Sequence, residues 1–130
     1  MDDLGPSLLE RAWVHVTFAF VVMGAWALYA NWGYAMPKPV TAALLQGAMS
    51  GMITFGMKQV LDMLRRAVSR KQGVWLPPVL TLMLSLSVLV SVHLMFGTPE
   101  VVKTIAVPFS VASTYAVIYN FAMWRKGPMP

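Results

Sequence analysis

Residues 75–96 read WLPPVLTLMLSLSVLVSVHLMF, a run without one Asp, Glu, Lys or Arg. A helix crossing a bilayer needs about 20 mostly apolar residues, and this run supplies them. Pro77 and Pro78 fall in its first turn, where a missing N–H breaks no helical bond. The stretch therefore predicts a membrane-spanning helix, and three more apolar stretches join it. One runs from about Ala12 to Met36, with Trp13 near one end and Tyr29, Trp32 and Tyr34 near the other, an aromatic belt at both interfaces. Another runs from about Val40 to Arg66, after Pro37-Lys38-Pro39. The last begins after Gly97-Thr98-Pro99-Glu100 and ends near Trp124. Thr98 reads there as the N-cap, with Pro99 at the first helical position.

Composition supports the membrane class. Hydrophobic residues make up 58% of the 130-residue chain and charged residues 12%, against about 25% charged in soluble domains. Mean hydropathy is +0.63. The chain has no cysteine, which excludes disulfides, thiol catalysis and thiolate metal sites. A net charge of +5 raises nucleic acid as a partner, but the basic residues lie at the ends of apolar runs, where anionic lipid headgroups are the simpler partner. No nucleic-acid role is expected. Met1-Asp2-Asp3-Leu4-Gly5-Pro6 is acidic and offers no cleavage site, and Ser7-Leu8-Leu9-Glu10 reads as a capping box that opens the first helix.

Orientation follows from charge. Arg11, Arg65, Arg66, Arg70, Lys71, Arg125 and Lys126 fall on one side of the four spans, and Lys38 and Lys103 on the other. The positive-inside rule then places both termini and the basic loop, Ser69 to Gly73, in the cytoplasm. The expected fold is all-α: a single domain over residues 1–130, an integral four-helix bundle of the inner membrane made of two tight hairpins. Sixty residues apart, Pro39 matches Pro99, Ser50 matches Ser110, Thr54 matches Thr114, Phe55 matches Tyr115, and Arg65-Arg66 matches Arg125-Lys126. Either the hairpin is duplicated in parallel, with a site at the repeat interface as in many transporters, or two helices of like direction share the same end chemistry.

Helices in lipid approach closely through small residues. Gly47 and Gly51 form a GxxxG extended backward by Ala43, and Ser110 and Thr114 offer a second small face. Both read as packing faces of the bundle, with a homodimer face as the alternative. Pro108, inside the fourth span, frees the carbonyl of Thr104 and marks either a hinge or a bend satisfied by Thr104 or Ser110.

The sharpest chemical signal is Lys58, Gln59 and Asp62 within the second span. A charge at the centre of a span costs roughly 2.5–3.5 kcal/mol on insertion scales. Lys58 and Asp62, and Asp62 and Arg66, are spaced i,i+4 and share a face. At about 1.5 Å per residue, Lys58 stands roughly 10 Å from Arg65 along the helix, within reach of snorkelling. Two readings stand side by side. The ladder either ends a long helix, or it forms a pocket for a phosphate headgroup. In the pocket, Lys58 supplies a point charge, Arg65, Arg66 and Arg125 supply forks, Asp62 orients the cations, and Gln59 and Asn120 either add neutral hydrogen bonds or only bond each other across helices. His15 and His93 lie near opposite surfaces and cannot share a metal, so no metal or cofactor is expected and each histidine is assigned a hydrogen bond near its own end. Thr81, Ser85, Ser87 and Ser91 lack an accompanying base. No hydrolase constellation, phosphate loop or dinucleotide motif is present, and no enzyme activity is expected.

The close of the fourth span, Tyr119-Asn120-Phe121-Ala122-Met123-Trp124-Arg125-Lys126, resembles the GtrA-like family of small four-helix membrane proteins through Asn120, Phe121 and Arg125. The resemblance implies cytoplasmic termini and a role in moving polyprenyl-phosphate-linked sugars across the membrane. The expectation is an inner-membrane protein that binds, and in the fuller form translocates, an anionic lipid or lipid-linked sugar. The alternative is an accessory subunit of a larger membrane complex, whose eleven methionines suit adaptable contact.

Overall fold

The computed structural model describes residues 8–127, with side chains from Arg11 onward. Four α-helices follow one another: α1 (Leu8–Ala30), α2 (Lys38–Ala67), α3 (Leu76–Met95) and α4 (Val101–Arg125). A single 3-10 turn, Gln72–Val74, lies between α2 and α3. No strand occurs among the described residues. All four helices are long and apolar enough to cross a membrane. The capping box at Ser7 and Glu10 lies outside the described side chains. Below, the basic end is where α2 and α4 terminate in Arg65, Arg66 and Arg125, and the hairpin end is the opposite one.

The distribution of side chains is inverted relative to a water-soluble domain. Phe18, Val21, Tyr29, Met52, Met83, Val102 and Ile118 are exposed, while Asn31, Gln46, His93, Thr104 and Asn120 are fully buried. Apolar surface on this scale is not sustained against water, and the buried polar groups need partners inside the bundle. Both conditions are met if lipid is the solvent.

Two expected boundaries differ from those observed. The first helix ends at Ala30, not near Met36. Asn31 stops it: its backbone N–H still bonds Ala27 O (3.2 Å), and its side-chain amide returns to the same carbonyl (2.9 Å). Thr98 is not the N-cap of the fourth helix. Glu100 holds that position, and Thr98 instead closes α3. Gly97, at φ +68°, takes the left-handed C′ position, with Thr98 N–H on His93 O (2.9 Å) and Gly97 N–H on Leu94 O (3.2 Å), a Schellman closure.

α2 is the central helix and contacts all three others, whereas α1 packs on α2 and α4. On one face of α2, Met49, Met57 and Leu61 build the core with Leu89 of α3 and Ile105 and Ala116 of α4. The other face lies against α1 at backbone distance. A Cβ on Gly47 would stand 2.9 Å from Phe20 O, one on Gly24 3.0 Å from Ala43 O, and one on Gly51 3.2 Å from Val16 Cγ1. The GxxxG face is thus occupied within the chain. Ser110 and Thr114, expected as a second packing face, are exposed. Their hydroxyls donate to carbonyls of their own helix, Ala106 O and Ser110 O, because the inward face of α4 is set by Ile105, Pro108 and Ala116.

The sixty-residue correspondence does not extend to packing. Ser50 is buried and accepts a bond from Gln46, while Ser110 is exposed. Gly47 and Gly51 correspond to Val107 and Val111, so α4 lacks the residues that bring α2 against its hairpin partner.

Two outcomes follow from this packing. Gly47→Val forces a side chain into Phe20 O and should lower stability by about 1–3 kcal/mol in thermal unfolding from detergent micelles. Gly56→Ala, with nothing within 4 Å of the added Cβ, should leave the midpoint unchanged or slightly higher. At the hairpin end, the Tyr34 hydroxyl donates to Glu100 Oε1 (2.6 Å), and this bond, followed by the negative charge of Glu100, raises the phenol pKa above its ordinary value. A raised folded-state pKa means that this stabilisation is complete below the unfolded value of about 10 and is lost as pH rises through the folded value. The absorbance difference between wild type and Tyr34→Phe should therefore show a phenol titrating later than a free tyrosine.

Candidate functional site

Polar groups in an apolar bundle are informative because each one left unpaired is costly. At the hairpin end they satisfy one another. Asn31 Nδ2 donates to Thr104 Oγ1 (2.7 Å), and Asn31 Oδ1 accepts the Glu100 N–H (3.0 Å). Trp26 Nε1 donates to Lys103 O (3.0 Å). These bonds, with Tyr34–Glu100, fasten α1 to α4. Between α2 and α3, Gln46 Nε2 donates to Ser50 Oγ (2.8 Å), which leaves Gln46 Oε1 to face His93 Nε2 (2.9 Å). His93 Nε2 is then the donor, and the neutral ring's Nδ1 accepts from Thr98 Oγ1 (2.8 Å). The hydrogen bond expected for His93 is present, but it lies inside the core. Gln46 and Asn31 did not stand out in the sequence. For Asn31 the signal was the turn-forming pair Asn31 and Gly33 within an aromatic-rich stretch.

Toward the basic end, a partly open cavity of about 590 Å³ lies between α1 and α4, with α2 as its floor. Its walls are apolar: Val16, Ala19 and Met23 from α1, Ile53 and Met57 from α2, Val111 and Ala112 from α4. Pro108 lines it too. The polar groups that reach the cavity include Lys58, Gln59, His15 and Tyr115. Its volume is within the usual range for small-molecule sites, about 300–1,000 Å³, and apolar walls with a few polar groups are their usual chemistry.

Lys58 belongs to a cluster. The Asp62 carboxylate accepts from Lys58 Nζ (3.3 Å), Arg65 Nη2 (2.8 Å) and the Tyr119 hydroxyl (2.9 and 3.1 Å). Two cations on one carboxylate leave a net charge of about +1 at this site. The Lys58 side chain is 59% exposed and that of Arg65 6%, so Lys58 is the cation available to a ligand in the cavity. Tyr119 was missed in the sequence, although a phenol in an apolar helix requires a partner for its hydroxyl. Tyr115 stacks on Tyr119, with centroids 5.6 Å apart, and carries the aromatic surface to the cavity wall.

The seven residues assigned to one phosphate pocket are thereby separated. Lys58 and Gln59 reach the cavity and Asp62 holds Lys58. Arg65 and Arg66 line a different concavity, beside Arg70 and Trp124. Arg125 lies over the Phe121 ring at 5.9 Å. Asn120 does not join Gln59. It is fully buried, and its amide donates to Gly73 O (2.9 Å) and Val74 O (3.1 Å), whose helical donors four residues on would be Pro77 and Pro78, which have no N–H. Gln59 is exposed.

Compared with family models, curated proteins and solved structures, the chain matches none.

The Tyr119–Asp62 bond generates a paired expectation. Tyr119→Phe removes one donor to a charged acceptor and should cost about 1.5 kcal/mol of stability. Asp62→Asn removes the carboxylate from beside the nearly buried Arg65 guanidinium and should cost about 3 kcal/mol. Reversible unfolding in mixed micelles measures both, and a larger loss for Tyr119→Phe would contradict the assignment of Asp62 as the centre of the cluster.

Proposed function

We propose that this chain is a four-span inner-membrane protein, with both termini cytoplasmic, that binds an anionic amphiphile in the crevice between α1 and α4. The observation that carries the reading is the pairing of an apolar cavity of about 590 Å³ with one solvent-reachable ammonium, Lys58, at its wall. An acyl or polyprenyl chain is matched by Val16, Met23, Ile53 and Val111. A phosphate is matched by Lys58, with the Gln59 amide beside it.

Three physical features support this reading. The Lys58 ammonium lies 3.3 Å from the Asp62 carboxylate and 5.8 Å from the Tyr119 ring centroid, which limits the side-chain freedom to be lost on binding. The cavity lies between two helices that are fastened at the hairpin end, so a lipid tail enters from the side without unfolding a helix. Pro108, on the cavity wall within α4, leaves the Thr104 carbonyl without its helical donor, and α4 is therefore the more deformable wall. Movement of α4 about this point is the route by which bound lipid would cross between leaflets. A polyprenyl-phosphate-linked sugar, the cargo implied by the GtrA-like resemblance of Tyr119–Lys126, is one ligand of this class.

The test uses the full chain in detergent and two variants that act on different parts of the ligand. Lys58→Gln should weaken retention of a polyprenyl phosphate or an anionic phospholipid about tenfold in native mass spectrometry. Ala112→Trp should exclude the tail and remove the amphiphile, charged or neutral, that the crevice holds, while a lipid bound elsewhere on the protein stays. Undiminished binding by both variants refutes the reading. Recovery of the wild type only as a complex with another membrane protein seated over α1 and α4 would assign the crevice to a partner helix instead.

A further inference from the structure

The second concavity, about 330 Å³ at the basic end, is separate from the crevice and is lined by Arg65, Arg66, Arg70, Ser69 and Trp124. Neither Arg66 nor Arg70 has an acidic partner among the described residues. The carboxylates with described side chains are Asp62, which already holds Lys58, Arg65 and Tyr119, and Glu100, which is at the other end of the bundle. A recess that carries two exposed arginines, Arg66 and Arg70, and no carboxylate among the described residues attracts an anion.

The recess is also built, not merely charged. Trp124 Nε1 donates to Arg70 O (2.9 Å), and the Arg70 guanidinium lies 5.3 Å from the Trp124 ring centroid. Asn120 holds the next stretch of the loop through Gly73 O and Val74 O. Gln72 Oε1 accepts from Ser69 Oγ (3.0 Å). α4 thus fixes the backbone of the loop that carries Arg70 beside the end of the helix that carries Arg65 and Arg66. The C-terminal helix dipole favours Arg65 and Arg66 where they are, but it does not account for Arg70, which lies beyond the helix. Topology needs positive charge at this end, and lysine would serve that equally well. The two exposed forks, Arg66 and Arg70, suit a tetrahedral oxyanion, which guanidinium groups bind bidentately.

We infer that this recess is a second anion site, which takes a phosphate group through Arg66 and Arg70 independently of the crevice. A phosphate there is either the headgroup of an anionic lipid or a soluble phosphate. Full-length protein purified in neutral detergent would be titrated with phosphatidylglycerol, with phosphatidylcholine of the same chains, and with inorganic phosphate alone, and bound ligands would be counted by native mass spectrometry. The wild type should retain phosphatidylglycerol over phosphatidylcholine, and Arg66→Gln/Arg70→Gln should weaken that retention about tenfold per arginine. Arg66→Lys/Arg70→Lys keeps the charge but not the fork and should fall between the two. Binding of inorganic phosphate with the same dependence on Arg66 and Arg70, and without preference for the anionic lipid, sustains the site and assigns it to a soluble ligand. Equal retention by wild type and the glutamine variant, or full retention by the lysine variant, overturns it. Both guanidinium-bearing residues are exposed, so the thermal midpoint of each variant should match wild type, which separates lost binding from lost folding. Because Lys58→Gln leaves this recess intact, its ligand should survive that substitution, and failure here is distinguishable from failure of the crevice reading.

Discussion

The backbone-level approach of α1 to α2 governs the rest of this bundle. Gly24, Gly47 and Gly51 remove the side chains that would otherwise hold the helices apart. Helices in lipid are not driven together by hydrophobicity, and there a flat, small-residue face like this one gains from van der Waals contact. With α1 held on one side of α2, the other side is left to α3 and α4, where Met49, Met57 and Leu61 form the core. α1 then reaches α4 through Trp26, Asn31 and Tyr34 at the hairpin end, and the crevice is the space that remains between the two helices beyond those bonds.

The two ends of the molecule treat polarity differently. At the hairpin end, Asn31, Gln46, His93, Thr98 and Thr104 form closed sets of hydrogen bonds in which each group answers a neighbour. These sets set the register of α1 against α4 and of α2 against α3, and they leave little for a ligand. At the basic end the balance is unequal. One carboxylate, Asp62, serves two cations and a phenol, while Arg66 and Arg70 line a recess with no carboxylate among the described residues. Among the described residues, cations that line a concavity occur only at this end.

Part of this was legible in residue order. The four helices follow from apolar runs of spanning length, and the Lys58–Asp62 pair follows from helical spacing alone, whereas that spacing pointed Asp62 at Arg66 and the structure gives it Arg65. Other features were not legible, for identifiable reasons. Asn31 ends α1 six residues early because its amide finds Thr104 and Glu100, residues more than sixty positions away. Thr98 has the chemistry of an N-cap, but the left-handed Gly97 beside it commits it to closing α3. Tyr119 belongs to the charge ladder only because α4 packs beside Asp62. Gly47 and Gly51 signalled close packing, whereas their partner could not be named without the position of Phe20 and Val16. Ser110 and Thr114 carried the same small-residue signal and face outward.

What residue order determined by itself was four runs long and apolar enough to cross a membrane, and the end at which their charge collects, because hydropathy and charge along a helix are properties of single residues and their spacing. Only the tertiary structure decided which polar groups satisfy one another and which face open space. It divided one expected phosphate pocket into a crevice at Lys58 and a recess at Arg66 and Arg70, and it gave Asn120 to a loop. The physical reason is that a side chain's availability depends on what packs against it, and that contact is made by helices distant in the chain.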